Sequence, residues 1–414
     1  MGRLSSGPRR ALDALLPPAA GRDFRWVWSA YATTNLGDGI ALAAAPLLVA
    51  SISREPLAVA AGVLFQRLPW IVFGVAAGAV VDRVDRRALI MRVNGLRALV
   101  LATLAATVAL DLLTLPLLYG LLFLVGTAET FADNATSTLV AVTTPRDALG
   151  VANARLVGAR VVTNELAGPP LGASLFAALP ALPFVANAVG FLSGVLLVRR
   201  VRPSPPEPRP AGQRLVDDVR EGLTWLRGHP AVRTLVLLIA VFNVTFGAAF
   251  STWVLYALEV LGLSERGFGL LLTTSAAGGV LGAVLWRRIE ARVSYATMLR
   301  VGLVVETCTH LGLALTDRPL VAGAVMFAFG IHAVVWGTLS NTIRQRAVPR
   351  ALQGRVQSVY MLAVVGPLAA GAAIGGGLAQ GFGLLAPFWF AFVGAGLTTA
   401  VVWRRIGLVA EAGA

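Results

Sequence analysis

Lysine is absent from the 414-residue sequence and cysteine occurs once, as Cys308, so all 35 basic residues are arginines. A single cysteine excludes a disulfide within the chain. Charge is scarce too, since only 14% of the residues are charged, whereas soluble domains have about 25%. With 57% hydrophobic residues and a mean hydropathy of +0.75, the composition excludes a soluble globular protein and predicts an integral membrane protein.

Signals of soluble chemistry are missing as well. There is no phosphate-binding loop of the GxxxxGK type, which argues against a nucleotide-driven pump, and there is no serine nucleophile elbow. His310, His332 and Cys308 do not have the spacing of metal ligands. We therefore expect no enzymatic activity, no metal and no cofactor. The net charge of +14 is better explained by loop arginines beside anionic lipid than by a nucleic-acid partner.

Twelve segments are long and apolar enough to span a bilayer as helices of about 20 residues. They are residues 26–51, 56–81, 88–110, 114–141, 151–178, 181–199, 232–258, 265–286, 297–316, 319–343, 355–379 and 383–403. If the N-terminus is inside, the cytoplasmic segments hold 26 arginines and the opposite loops hold 3. The positive-inside rule then places both termini on the cytoplasmic side. Because the all-arginine, Ala- and Gly-rich composition indicates a bacterial source, we expect the membrane to be a bacterial inner membrane.

A proline-rich polar segment separates two groups of six spans. We predict a cytoplasmic tail at 1–25, a six-helix half at 26–199, a linker at 200–231 with a short amphipathic helix from Gln213 to Arg227 at the membrane surface, a second half at 232–405 and a tail at 406–414. The halves resemble each other. Gly78 and Arg83 repeat as Gly282 and Arg287, Gly172 matches Gly376, and Asn35 with Gly39 matches Asn243 with Gly247.

The loop after the second span has the pattern Gly78-x-x-x-Asp82-Arg83-x-x-Arg86-Arg87. It resembles the signature loop of the major facilitator superfamily, although Asp85 stands where that family usually has glycine. The resemblance implies an all-α membrane protein with 12 transmembrane helices in two six-helix halves around a central cavity. It also implies that Asp82 latches the cytoplasmic side against the start of the eleventh helix, near Gly354 and Arg355. The arginines would pair with Asp82 or reach lipid phosphates.

Span 5 contains Gly168-Pro169-Pro170-Leu171-Gly172. This resembles the core of the antiporter motif of the same superfamily, and it favours export. In span 4, the sequence Ala128-Glu129-Thr130-Phe131 is similar to the branch of siderophore and macrolide exporters. The competing interpretation of the span 5 glycines is an ordinary kink with close helix packing.

Ionisable residues within spans are costly in lipid and are functional candidates by default. Counted from the cytoplasmic helix ends, Asp38, Arg67, Glu129 and Glu165 share a depth of about 18–21 Å. Asp133 and Arg160 share a second, shallower level. Equal depth permits an Asp38–Arg67 pair and an Asp133–Arg160 pair. Glu129 and Glu165 would then be the carboxylates with the least obvious counter-charge, and an unpaired buried carboxylate can carry a proton. The alternative is a set of ion pairs that only orient the helices.

Polar candidates in the second half are fewer. Asn243, like its counterpart Asn35, is a candidate to line the cavity together with aromatic side chains. His332 and Trp336 lie one helical turn apart, and His332 either forms a helix-to-helix hydrogen bond or serves as a ligand or proton carrier. Glu306 and His310, also one turn apart, are expected to form a local structural pair.

These patterns together predict a monomeric, proton-coupled exporter of small amphipathic molecules such as an antibiotic, a siderophore or another metabolite. Its partners are the substrate, protons and lipid. Two alternatives stay open at this stage. One is an importer or symporter with the same fold, and the other is a membrane sensor or assembly partner that transports nothing.

Overall fold

The computed structural model describes residues 20–81, 83–203, 215–349 and 352–412. Every regular element in these ranges is a helix, and none of the described residues forms a strand. This confirms the predicted all-α class. Long apolar stretches leave the main chain no water to bond to in a membrane, and a helix satisfies its own N–H and C=O groups.

The helices that precede the proline-rich segment are α1 (Arg22–Ile52), α2 (Pro56–Val81), α3 (Arg86–Ala109), α4 (Leu115–Thr143), α5 (Leu149–Arg160), α6 (Gly168–Ala178) and α7 (Leu182–Val198). A 3₁₀ turn, Arg146–Ala148, precedes α5, and a π-helical segment, Val161–Ala167, joins α5 to α6 without a break.

The helices that follow are α8 (Leu215–Gly228), α9 (Pro230–Phe250), α10 (Trp253–Leu255), α11 (Glu265–Glu290), α12 (Tyr295–Leu315), α13 (Pro319–Ala347), α14 (Gln353–Phe382), α15 (Ala386–Val402) and α16 (Ile406–Glu411). A second π-helical segment, Tyr256–Val260, follows α10.

Nine of the described helices are long and apolar enough to cross a membrane, namely α1, α2, α3, α4, α9, α11, α12, α13 and α14. The helices α7 and α15 are apolar but shorter. The predicted fifth span is the continuous helical run of α5, the π-helical segment and α6. The protein is therefore a multi-pass membrane protein.

The chain divides into two compact units. The first comprises Met1–Ala45 and Val72–Arg209, and the second comprises Pro46–Ile71 and Pro210–Ala414. The end of α1 and most of α2 thus belong to the second unit. Within the proline-rich segment, the first unit ends at Arg209 and the second resumes at Pro210, and the predicted halves stay a prediction.

Glycines bring main chains together in the first unit. A Cβ atom on Gly168 would collide with the main chain of Gly39, and one on Gly172 would collide with the main chain of Ile40. Gly39 in turn faces the main chain of Asn164 in the π-helical segment. The segment 161–178 therefore packs directly on the main chain of α1, which is the contact that small residues permit in membranes.

The second unit contains a comparable contact between α9 and α14. A Cβ on Gly371 would collide with Val244, and one on Gly375 with Ala248. Gly376, which the sequence comparison matched with Gly172, instead faces Ala60 of α2. The structural counterpart of Gly172 is therefore Gly375, one residue earlier than the repeat in the sequence suggests.

The amphipathic helix predicted in the linker is present as α8. One residue of its apolar side, Leu226, is buried in a cluster with Val356 and Val359 of α14. The main chain of Arg355 lies against Gly222 of α8. Gly222 and Leu226 therefore face α14, whereas Leu223 is exposed, and the location of α8 at the membrane surface stays a prediction.

Candidate functional site

A buried arginine organises the polar interior of the first unit. The side chain of Arg97, on α3, is only 2% exposed and forms an ion pair with Asp38 of α1. The same nitrogen, Nη2, lies 3.8 Å from Oε2 of Glu129 on α4. The ring of Phe191 on α7 lies 4.0 Å from the guanidinium carbon, where its π face attracts the cation. Side chains from four helices therefore meet at one positive charge.

Acidic groups outnumber that charge. Asp133 lies one turn beyond Glu129 on α4 and is exposed, and it makes no ion pair with the other described residues. Asp38, Glu129 and Asp133 thus place three carboxylates near the buried guanidinium of Arg97. We call these four residues the Arg97 cluster. Asn35, one turn before Asp38, uses its amide to donate to the Tyr31 carbonyl on its own helix at 2.9 Å.

Both ion pairs expected from depth alone are wrong. Asp38 pairs with Arg97 and not with Arg67, which is exposed on α2 and belongs to the part of α2 assigned to the second unit. Arg160 pairs with Glu165 and not with Asp133. Equal depth permits a contact, but the direction in which each helix faces decides it. Glu165 therefore has the counter-charge that the sequence analysis denied it, and Glu129 has a share of Arg97.

The π-helical segment follows from the two prolines after it. Pro169 and Pro170 have no N–H groups and cannot donate to the carbonyls of Glu165 and Leu166. The N–H of Gly168 instead reaches back five residues to the Thr163 carbonyl. Segments of this kind are frequent at functional sites, and this one carries Glu165.

The antiporter-like motif acts on the Arg97 cluster through the main chain. Gly168 and Gly172 contact Gly39 and Ile40, the two residues that follow Asp38. Pro169 is buried beside them. The motif therefore fixes the position of the α1 turn that carries Asp38.

The signature loop is described only in part, because Asp82 lies outside the described residues. Gly78 has open space around it in α2, and Arg83 begins the turn that follows, its N–H donating to Val80 at 3.0 Å. Arg87 donates to the main-chain carbonyls of Val198 at 3.4 Å and Arg199 at 2.6 Å. Arg86 is buried at 4% exposure, and its Nε and Nη1 have no hydrogen-bond partner among the described residues. Arg87 therefore caps the end of α7, and the pairing of these arginines with Asp82 or lipid phosphates stays a prediction.

The candidates in the second unit lie in two environments. Asn243 of α9 donates to the Ile239 carbonyl on its own helix at 2.7 Å. Trp336 is buried in an apolar cluster with its ring edge against Phe242, at 6.1 Å between ring centres. His332 lies one turn away, 5.8 Å from the Trp336 ring, and its Nε2 is 3.3 Å from Oε2 of Glu306 on α12. Trp336 is thus a core residue, while His332 joins two helices.

Sequence reasoning missed Arg97 and Phe191. Arg97 lies eleven residues after the start of α3 at Arg86, or about 16 Å from that end, which is close to the depth of about 18–21 Å shared by Asp38 and Glu129. No group of three or more histidine, cysteine or acidic side chains in the described ranges could hold a metal ion.

Long apolar helices that enclose buried ion pairs define the class of a multi-pass membrane transport protein. The chain belongs to the transmembrane secretion effector family of the major facilitator superfamily, because the model of that family matches residues 14–408. Members of the superfamily are transporters and not enzymes, which confirms that part of the sequence analysis.

Among relatives, the chain is 27% identical over 379 residues to the multidrug efflux pump Tap of Mycolicibacterium fortuitum, a match covering 86% of this chain and 89% of that protein. The fold is similar to a bacterial homologue of the iron transporter ferroportin in an inward-facing state, with a TM-score of 0.72, 18% identity and coverage of 93% and 98% of the two chains. It is also similar to a bacterial homologue of the human lysosomal transporter Spinster, with a TM-score of 0.70, 13% identity and coverage of 99% and 97%. These two likenesses concern the fold alone.

Proposed function

We propose that the protein exports small amphipathic molecules in exchange for protons, with the Arg97 cluster as the proton-coupling site. In this proposal it works as a monomer with 12 spans in two six-helix halves, and both termini face the cytoplasm of a bacterial inner membrane. The name of the relative, a multidrug efflux pump, supports export of small molecules. The observation that carries proton coupling is the excess of carboxylates around Arg97.

The charge balance supplies the physical argument. A charge within a membrane-spanning bundle is stabilised by pairing, and an unpaired one is costly. Arg97 neutralises one of the three carboxylates, so binding a proton is the direct way to reduce the remaining negative charge. Asp38 holds Arg97 in an ion pair while Glu129 lies 3.8 Å from the same nitrogen. Protonation of Asp38 releases Arg97 toward Glu129, and the reverse step returns it.

This exchange of partners can be linked to movement. Asp38 lies on the turn of α1 that Gly168 and Gly172 contact, so a shift of Asp38 acts on the segment 161–178. Glu165 of the same segment pairs with Arg160 at the end of α5, and this ion pair orients the segment. The loop with Gly78, Asp82 and Arg83 would then serve as the cytoplasmic gate that the family resemblance implies. Asn35, Asn243 and the aromatic side chains near them are the candidates for substrate contact.

Transport into inverted membrane vesicles tests the proposal. With a fluorescent cationic dye as the probe and an imposed pH gradient, Glu129→Gln and Asp38→Asn should each lower proton-driven uptake by about tenfold, a size typical of the coupling between two ligands. Dye binding should change little. Glu259→Gln is the matched control, because Glu259 forms an exposed ion pair with Arg54 and should leave transport unchanged.

Two outcomes would contradict the proposal. Equal uptake by wild type and by Asp38→Asn, Glu129→Gln and Asp133→Asn, with or without a pH gradient, would remove proton coupling through this cluster. Probe movement in the opposite direction, accumulating in whole cells that carry the protein, would indicate an importer or symporter.

A further inference from the structure

The second unit contains a buried ionisable cluster that the proposed mechanism does not use. Glu306 of α12 is 6% exposed and His310, one turn later, is 0% exposed. His332 of α13, whose side chain is 9% exposed, completes the group. Oε1 of Glu306 lies 3.5 Å from Nε2 of His310, and Oε2 lies 3.3 Å from Nε2 of His332. We call these three residues the Glu306 cluster.

We propose that the Glu306 cluster is a second proton-binding site, holding one exchangeable proton between its carboxylate and its two imidazoles. A carboxylate with two neutral imidazoles carries one negative charge inside apolar packing, where an uncompensated charge is strongly disfavoured. One bound proton makes the group neutral overall, whether it sits on Glu306 or on an imidazole. The proton bonds to a lone pair of oxygen or nitrogen, and no other bond changes.

Other charges do not replace this proton. α12 packs against α13, α15 and α16. α15 has no ionisable residue and offers the Thr399 hydroxyl, 3.3 Å from Thr307, while the ionisable residue of α16 is Glu411, at its end. Arg300, on α12 itself, lies beside the Trp403 ring. Among the described residues, His310 and His332 are the titratable groups that act on the Glu306 carboxylate.

Close packing at Gly302 holds the Glu306 cluster together. A ring nitrogen of His310 offers the proton a second binding position. A Cβ on Gly302 would lie 3.0 Å from Cε1 of His332 and 2.7 Å from Cε3 of Trp336, so a glycine at this position lets α13 approach α12. Both ring nitrogens of His310 lack a hydrogen-bond partner among the described residues. Because a neutral imidazole has one N–H donor and one acceptor, a small rotation toward Glu306 would make His310 the alternative acceptor.

The site also touches an aromatic surface. The ring of His332 lies 6.0 Å from Phe329, which stacks on Phe246 of α9 at 5.6 Å. A proton on His332 would change the electrostatic field at these rings. An effect of this proton on substrate transport rests on the proposed function, but the binding of the proton to the Glu306 cluster does not.

Tryptophan fluorescence offers a direct test in the purified full-length protein. A protonated imidazole quenches a neighbouring indole, and the described residues contain two histidine–tryptophan contacts, His332 with Trp336 and the exposed His229 stacked on Trp225 at 3.7 Å. The His229→Gln background removes the exposed contact. In that background we expect the fluorescence to be quenched reversibly when the pH is lowered, because a proton then binds beside Trp336.

Variants locate the signal. His332→Gln and Trp336→Phe should each abolish the quench, and Glu306→Gln should reduce its amplitude by about half or more because the imidazolium loses its counter-charge. Trp336→Phe is a conservative core change, so it keeps the test valid if His332→Gln folds poorly. Fluorescence that is flat with pH in the His229→Gln background, or a quench that survives Trp336→Phe, would overturn the proposal.

A second arm separates this site from the proposed function. Asp38→Asn with Glu129→Gln should keep the full quench while losing proton-driven transport. If transport proves independent of protons and the quench persists, the proposed function fails and the proton site stands. If that double variant also removes the quench, the two clusters are not separate sites and this inference fails.

Discussion

The two units share a way of packing helices and differ in how they bury charge. In the first unit, Gly168 and Gly172 bring the segment 161–178 onto the main chain of α1, and in the second, Gly371 and Gly375 bring α14 onto α9. The buried charges have no such correspondence. The first unit groups three carboxylates around a permanent cation, Arg97, and the second groups one carboxylate with two imidazoles whose charge depends on protons. Close packing is thus common to both units, and the chemistry is particular to each.

The largest effect, on the yield of folded protein, should come from disrupting the glycine-mediated helix contact that both units share. Gly172→Val and Gly375→Val place side-chain atoms where the main chains of Ile40 and Ala248 now lie, and packed helices relieve such overlap only by moving apart. We expect almost complete loss of monodisperse protein on size-exclusion chromatography for both.

The chain provides controls within the same segments. Gly158 and Gly377 have no neighbour within 4 Å of an added Cβ, so Gly158→Val and Gly377→Val should leave the yield nearly unchanged. If Gly375→Val were tolerated as well as Gly377→Val, the packing of the two units would not be equivalent.

The next largest effect should be a difference between the two charge clusters in how much free energy of unfolding is lost when one member is replaced. Arg97→Gln leaves the partly buried carboxylates of Asp38 and Glu129 without a cation; breaking a fully buried pair costs about 3–5 kcal/mol, and we expect a loss toward the lower end of that range. His332→Gln leaves a polar group in place, and we expect a loss of about 1–3 kcal/mol. Unfolding in detergent, followed by circular dichroism, measures both.

Two additional variants make this comparison sharper. The double variant Asp38→Asn with Arg97→Gln should be more stable than Arg97→Gln alone, because one uncompensated carboxylate is removed with the cation. Arg97→Lys keeps the charge but loses the planar contact with Phe191 and should fall between wild type and Arg97→Gln. Equal losses for Arg97→Gln and His332→Gln would argue against different burial of charge in the two units.

The smallest effect on stability should come from disrupting the exposed ion pairs, of which each unit has one. Arg160 and Glu165 are 49% and 31% exposed, and Arg54 and Glu259, 3.4 Å apart, are 60% and 42% exposed. Pairs of this kind contribute about 0–1 kcal/mol. Arg160→Gln and Arg54→Gln should therefore shift the unfolding midpoint only slightly, and a large shift in either would mean that the pair carries more than local charge.

Much of the fold follows from the sequence, because long apolar runs in a membrane have helices as their simplest solution. The one-turn spacing of His332 with Trp336 on a single helix was also predictable. Helix bounds near Arg86 and Leu115 differ from the predicted ones by one or two residues, where Asp85 caps α3 by accepting from Ala88 at 3.2 Å. Such caps depend on local main-chain geometry that hydropathy does not record.

The contacts within the candidate site were not predictable in the same way. Depth along a helix is readable from sequence, but the rotation of the helix about its axis is set by packing. Asp38 could meet Arg67 or Arg97 by depth, and only the positions of α1 and α3 select Arg97. The π-helical segment shifts the phase of Glu165 relative to an ordinary helix, and this brings it to Arg160. His332 reaches Glu306 only because Gly302 leaves room for it.

The seat of Gly168 and Gly172 on α1 has a mechanical consequence. Flexible side chains between two helices absorb small displacements, because they can change rotamer. Here the main chains of the two helices are in direct contact, and no side chains lie between them at these glycines. A displacement of the α1 turn that follows Asp38 therefore displaces the segment 161–178 with it, because the two main chains move as one rigid unit.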